Sequence, residues 1–150
     1  MSWLPRNEIL YVDLSFLVHA TEERDKVLTA VRNLLPLEHV EEVAISQKNF
    51  KGEYGNPIAI FETQIRDPEI ADGLLRNIGS RLSQIDKEAL LDELELRLTK
   101  GTLYLRLNKQ AAFKGKPELC LADPIRLRIK FRTSKIEEIT NIIRRLGMVP

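Results

Sequence analysis

The stretch Asp123-Pro-Ile-Arg-Leu-Arg-Ile-Lys-Phe-Arg-Thr133 decides the fold. Ile125, Leu127, Ile129 and Phe131 alternate strictly with Arg126, Arg128, Lys130 and Arg132. A period of two places the apolar side chains on one face of a β-strand and the cations on the other. The apolar face needs a cover of helices, which leaves four positive charges in a row on the opposite face. Such a row repels itself, so it calls for solvent, neighbouring acids or a polyanion.

The segments on either side supply the rest of the sheet and its cover. Upstream, Leu94, Leu96 and Leu98 alternate with Glu95, Arg97 and Thr99, then Lys100-Gly101 turns. Leu103, Leu105 and Leu107 follow, alternating with Tyr104, Arg106 and Asn108. This predicts a hairpin with leucines inward. Lys109 to Glu118 reads as irregular or briefly helical. Downstream, Ser134-Lys-Ile-Glu137 has the spacing of a capping box. Ile136, Ile139, Ile142, Ile143 and Leu146 line one face of the helix it starts, and Gly147 stands where that helix should end.

Nearer the N-terminus, Val12, Leu14, Phe16 and Val18 mark a strand over 9–20. Thr21 is placed to cap the helix of Val27, Leu28, Val31, Leu34 and Leu35, which Pro36 ends. Weaker strands over 42–50 and 58–65 flank the turn-rich Lys51-Gly-Glu-Tyr-Gly-Asn-Pro57, a hairpin with a long tip. Asp67-Pro68-Glu69 is a strong helix start, with Ile70, Leu74, Leu75 and Ile78 as the buried stripe and Gly79 as a weak point or end. Asp86 is placed to cap a short helix around Ala89, Leu90 and Leu91. The predicted order is β-α-β-β-α-α-β-β-β-α: a single α+β domain over 1–150, with a mainly antiparallel sheet and helices on one face.

Composition narrows the function. At 150 residues, 43% of them apolar and 30% charged, the chain reads as a globular domain. No apolar run approaches the roughly 20 residues of a membrane span. The first residues lack the layout of a signal peptide, so an intracellular, cytoplasmic protein is expected. The net charge of +1 hides a segregation. Ten cations and two acids fall between Arg97 and Arg132, against 13 basic and 20 acidic residues elsewhere. Such segregation points to a polyanion-facing side.

Catalysis finds little support. His19 stands alone on its strand and His39 in a connecting segment. The chain has no HExxH or CxxC motif and no acid–His spacing that would hold a metal. Cys120, the only cysteine, sits between Leu119 and Leu121 and reads as a small apolar residue. No cofactor is expected. The Lys51–Pro57 segment lacks phosphate-loop spacing; it reads as a flexible tip, or with Lys48 and Tyr54 as a finger on RNA.

Two readings of the basic row remain. As a solvated face it would be balanced by cross-strand acids. As an RNA surface it would comprise Arg97, Arg106, Arg126, Arg128, Lys130 and Arg132 for phosphates, Tyr104 for stacking, and Lys109, Lys114 and Lys116 around Phe113 to extend the track. Cations and aromatics on an open sheet suit single-stranded or looped RNA. Tyr11 also has outward parity.

Leu107-Asn-Lys-Gln-Ala-Ala-Phe113, Gly115, Asp123-Pro-Ile125 and Gly52-Glu-Tyr-Gly-Asn-Pro57 together resemble an archaeal family of predicted RNA-binding proteins described as candidate exosome subunits. Tyr11-Val-Asp-Leu-Ser-Phe-Leu-Val-His19 and Leu94-Glu-Leu-Arg-Leu98 fit it too, so the similarity spans about Ile9 to Leu146. The resemblance implies an α+β fold like that of the ribosomal protein that binds 5S ribosomal RNA, a cytoplasmic setting near the exosome, and no assigned catalytic residues. The expected function is non-catalytic RNA binding. The alternative is an adaptor that uses the same face for a partner protein or a homodimer. A third reading is a small-molecule or enzyme site near His19, Gln110 and the Lys51–Pro57 loop.

Overall fold

The computed structural model describes residues 8–150. The sheet has six strands: β1 (Ile9–His19), β2 (Ser46–Lys51), β3 (Pro57–Ile65), β4 (Leu98–Thr99), β5 (Thr102–Leu107) and β6 (Ile125–Phe131). Their spatial order is β2-β3-β1-β6-β5-β4, and every pairing is antiparallel. The fold is α+β, as the alternation implied.

Six α-helices join them: α1 (Arg24–Leu34), α2 (Pro68–Arg81), α3 (Gln84–Asp92), α4 (Leu94–Arg97), α5 (Lys109–Phe113) and α6 (Ile136–Arg145). Of the four predicted helix starts only Asp67 caps as expected, while the ends at Pro36 and Gly147 hold. Asp67 caps α2 by accepting from the amides of Glu69 (2.9 Å) and Ile70 (3.3 Å). Gly147 closes α6 at φ +83°, a conformation glycine adopts without strain. Thr21 does not cap α1, because the chain turns before the helix starts at Arg24. Ser83 rather than Asp86 caps α3, and the Asp86 carboxylate instead accepts from the Leu119 amide at 3.0 Å. The capping box at Ser134 does not form: α6 begins one residue later and Thr133 accepts from the Lys135 amide.

The predicted strand over Leu94–Thr99 is corrected. Leu94–Arg97 is a helical turn, held by the amides of Leu96 and Arg97 bonding to the Glu93 carbonyl. The leucine alternation there does not reflect one buried face: Leu94 is buried while Leu96 is 86% exposed. Only Leu98–Thr99 pairs with β5.

The core lies on one side of the sheet. Val12, Leu14, Phe16 and Val18 of β1, Leu103, Leu105 and Leu107 of β5, and Ile125, Leu127, Ile129 and Phe131 of β6 are all buried. They form one cluster with Val27 and Val31 of α1, Leu74 and Ile78 of α2, and Ile139 and Ile143 of α6. Phe16 and Phe61, opposite each other on β1 and β3, stack with ring centroids 5.1 Å apart. The other side of the sheet carries no helix stripe, so the side chains of opposite parity stay partly or fully exposed.

Gly79 does not end α2. It lets α2 meet the turn after α6: a Cβ there would lie 2.4 Å from the Leu146 carbonyl oxygen and 2.8 Å from the Gly147 carbonyl carbon. Both are backbone atoms, which cannot swing aside. Gly79→Ala is therefore expected to lower unfolding stability by about 2 kcal/mol despite alanine's better helix propensity. A urea titration with a midpoint at or above wild type would contradict this contact.

Candidate nucleic-acid interface

Register fixes which side chains meet on the uncovered face. One row across the strands reads Arg106, Arg126, Ser15, Glu62 and Ser46. The next reads Tyr104, Arg128, Asp13 and Gln64. Lys130 lies between Thr102 and Tyr11 in a third.

The first row is electrostatically unusual. Arg106 and Arg126 stand directly opposite on β5 and β6, both exposed, and neither guanidinium has a hydrogen bond or ion pair among the described residues. Like charges opposed across strands destabilise a sheet. The next row is compensated: the Arg128 guanidinium donates to Asp13 at 2.9 Å, yet remains 57% exposed and free on its other side. Ser15, Leu96, Tyr104, Arg106, Arg126 and Arg128 line one shallow hollow of about 440 Å3. Tyr104 is 42% exposed beside the projecting Leu96, so the hollow combines three guanidinium groups with an apolar and an aromatic surface.

The remaining predicted residues separate into distinct places. Lys130 is half-buried and donates to the Lys100 carbonyl at 2.7 Å, bracing the β4–β5 turn. Arg132 is exposed beyond the end of β6, beside Glu8, Lys135 and Arg145 in a different hollow. Lys114 and Lys116 are exposed after α5; Lys114 faces a hollow with Thr21, Lys26 and Gln110. Tyr11 faces outward, but the Arg66 guanidinium covers its ring at 5.1 Å.

Two predicted residues are drawn away from the bare face, one partly and one wholly buried. Arg97 belongs to α4, not to an outward strand position. Its guanidinium is held by Glu93 at 2.7 Å and is 19% exposed. Lys109 is 8% exposed. Its ammonium donates to the Leu17 carbonyl, to both Glu22 oxygens (3.1 and 3.2 Å) and to Asp123 (3.0 Å). It ties the end of β1, the turn before α1, the start of α5 and the entry to β6. Sequence spacing could not reveal this, because Glu22, Lys109 and Asp123 are far apart along the chain.

The same knot bears on metal chemistry. His19, Glu22 and Asp123 can bring one ligand atom each within 4.8 Å of one another. The Lys109 ammonium already stands among the carboxylates, and a divalent cation beside it would be repelled. Burial raises the Asp123 carboxyl's affinity for a proton, but hydrogen bonds from Lys109 and His19 outweigh it and hold the group below the usual carboxylate range. The third site reading also divides. His19 and the loop from Gly52 to Ile58 line a hollow of about 370 Å3, while Gln110 lines a separate one. Burial pushes the Cys120 thiol up, with the Asp123 charge adding to the effect, so it is a poor nucleophile. No helix among the described residues is long and apolar enough to cross a membrane.

A family model described as RNA binding matches residues 11–131. The RNA-binding protein PAB1135 of Pyrococcus abyssi is 29% identical over 132 residues, 85% of this chain and 86% of that protein. The uncharacterized protein MJ0213 of Methanocaldococcus jannaschii is 33% identical over 118 residues, covering 76% of this chain and 78% of its own. Among solved structures, protein AF2318 from Archaeoglobus fulgidus superposes with a TM-score of 0.76 at 31% identity, over 93% of this chain and 99% of that one.

The lysine knot yields a pH prediction. A carboxyl whose folded pKa is depressed stabilises the fold above its unfolded value, near 4, and that contribution is lost as pH falls through the folded value. Lys109→Met should cost about 2 kcal/mol at neutral pH, because it strands carboxylates that remain partly hydrated. It should also flatten the fall in stability below about pH 4. Urea midpoints measured from pH 7 to pH 2.5 check both; parallel curves for variant and wild type would remove Asp123 from the account.

Proposed function

This chain belongs to the RNA-binding family whose model covers residues 11–131, and on that premise we propose that it is a non-catalytic protein that takes single-stranded or looped RNA on the bare face of its sheet. The observation that carries the proposal is the opposition of Arg106 and Arg126 without a carboxylate between them. An unbalanced pair of cations costs the free protein stability, and a phosphate placed between them would relieve the repulsion. Arg128 supplies a third donor set from the adjoining row, and guanidinium geometry suits bidentate phosphate contact. Tyr104 and Leu96 offer a base a flat, partly apolar surface beside those phosphates. Lys114, Lys116 and Arg132 lie outside the hollow and would act as peripheral attraction.

The setting that fits is cytoplasmic RNA processing, with the archaeal exosome as the candidate assembly. The resemblance of the Asn108–Phe113 and Gly52–Pro57 segments to a family described as candidate exosome subunits supports it. A protein without catalytic machinery of its own would deliver or hold RNA for such an assembly.

With about four phosphates engaged, the logarithm of affinity should fall with that of salt at a slope of about −2.8. Arg126→Gln should flatten the slope by about 0.7 and weaken binding, while leaving the free protein as stable as wild type or up to about 0.5 kcal/mol more so. Anisotropy titrations with a mixed-sequence RNA over a salt series measure the first, urea unfolding the second. An affinity indifferent to both salt and Arg126 would refute the RNA face. Separately, exosome subunits should co-purify with the tagged protein from an archaeal host and be released by RNase. Their absence from the untreated eluate would remove the exosome setting and leave RNA binding standing.

A further inference from the structure

The basic hollow has a neighbour of opposite character. Across β1 the face turns from cationic to polar and acidic, and a second hollow of about 710 Å3 opens there. Asp13, Ser15, Ser46, Glu62, Gln64 and Arg128 supply its polar lining, and Ile45 and Ala44 supply one wall. Ser15 and Arg128 line both hollows, so the two are continuous.

Most polar groups in this second hollow are already committed. Asp13 accepts from Arg128 and, through its other oxygen, from the Gln64 amide at 2.9 Å. The Gln64 carbonyl oxygen in turn accepts from Arg66 at 2.7 Å. Ser46 donates to the Glu62 backbone carbonyl. The Glu62 carboxylate itself is exposed and has no hydrogen bond or ion pair among the described residues, and neither has the Ser15 hydroxyl.

A free carboxylate on a phosphate-binding face repels phosphate, so an RNA lying across Glu62 would meet it through a hydrogen-bond donor of a base or sugar. Glu62 and Arg126 flank Ser15 on either side in one row, two strand spacings apart, about 10 Å. That is the reach of one nucleotide from its phosphate to the pairing edge of its base. A carboxylate only accepts hydrogen bonds. Among the four RNA bases, guanine presents two adjacent donors on its pairing edge, N1–H and the N2 amino group, which match the two oxygens of a carboxylate. Adenine and cytosine offer a single amino group beside an acceptor, and uracil a single N–H between two acceptors.

We infer that the hollow between β1, β3 and the segment before β2 is a base-reading subsite for an unpaired guanine, with Glu62 on its N1–H and N2 edge and its phosphate at Arg126. Ser15 lies between the two and can bond the sugar or the base. The inference rests on the RNA-binding reading above and adds to it the identity of the base.

The test uses a short, fluorescein-labelled oligouridine and the same oligomer with one central guanosine, adenosine or cytidine. Wild type should bind the guanosine-containing oligomer about tenfold more tightly than the other three. Glu62→Gln and Glu62→Ala should erase that preference while binding plain oligouridine as well as wild type or better, since a negative charge has been removed. Inosine, which lacks the N2 amino group, should fall between guanosine and adenosine. Equal affinity for all four oligomers, still weakened by Arg126→Gln, would overturn the guanine subsite and leave the phosphate face intact. Binding insensitive to Arg126 as well would overturn both.

Discussion

Pairing between β1 and β6 is the constraint on which the molecule depends. Val12 opposite Ile129 and Leu14 opposite Leu127 turn four buried side chains toward the helices. The same register turns Asp13, Ser15, Arg126 and Arg128 the other way. Side chains alternate along a strand, so a slip of one residue would bury three cations of β6 and expose its leucine and isoleucines. Hydrophobic burial on one face thus determines electrostatics on the other. The charges need no local force to hold them outward; the cost of burying them unpaired does that.

Within the exposed face, the distribution of partners divides roles that residue type alone would merge. Arg128 and Asp13 compensate each other, Lys130 braces a turn, and Lys109 serves as an internal strut among carboxylates. Arg106 and Arg126 are left facing each other, and Glu62 is left facing solvent two strands away. Groups held apart from any partner in the free protein lose no intramolecular bond when a ligand arrives. Their full interaction is available to it.

Much of this was legible in the sequence. The strict alternation in Ile125–Phe131 and Leu103–Leu107 gave strands with the correct inward faces, and Asp67-Pro68 and Gly147 marked helix ends through purely local chemistry. Arg97 was misplaced because Leu94, Leu96 and Leu98 carry a period of two on a segment that hydrogen bonding curls into a helical turn. Lys109 was misplaced because its partners come from distant strands and loops, which no spacing rule encodes. Glu62 passed unnoticed for a related reason: its significance lies in which residues stand beside it across β1, and strand order is not written in any single strand.

Strand order has a further bearing on how the chain reaches this state. The β2–β3 hairpin, with β1, forms one half of the sheet, and the β4–β5 hairpin forms the other. β6 joins them and is made last of the six, with Arg128 meeting an aspartate 115 residues earlier. Closing so long a loop costs entropy before any contact repays it, so assembly should be slow and should wait on this strand. Until it docks, β1 and β5 each present an unsatisfied edge flanked by bare leucine and phenylalanine, the kind of surface that draws chains into aggregates. The arginines and lysine that alternate along β6 could then serve the nascent protein as well as the mature one, keeping this central strand in solution until its place in the sheet is ready.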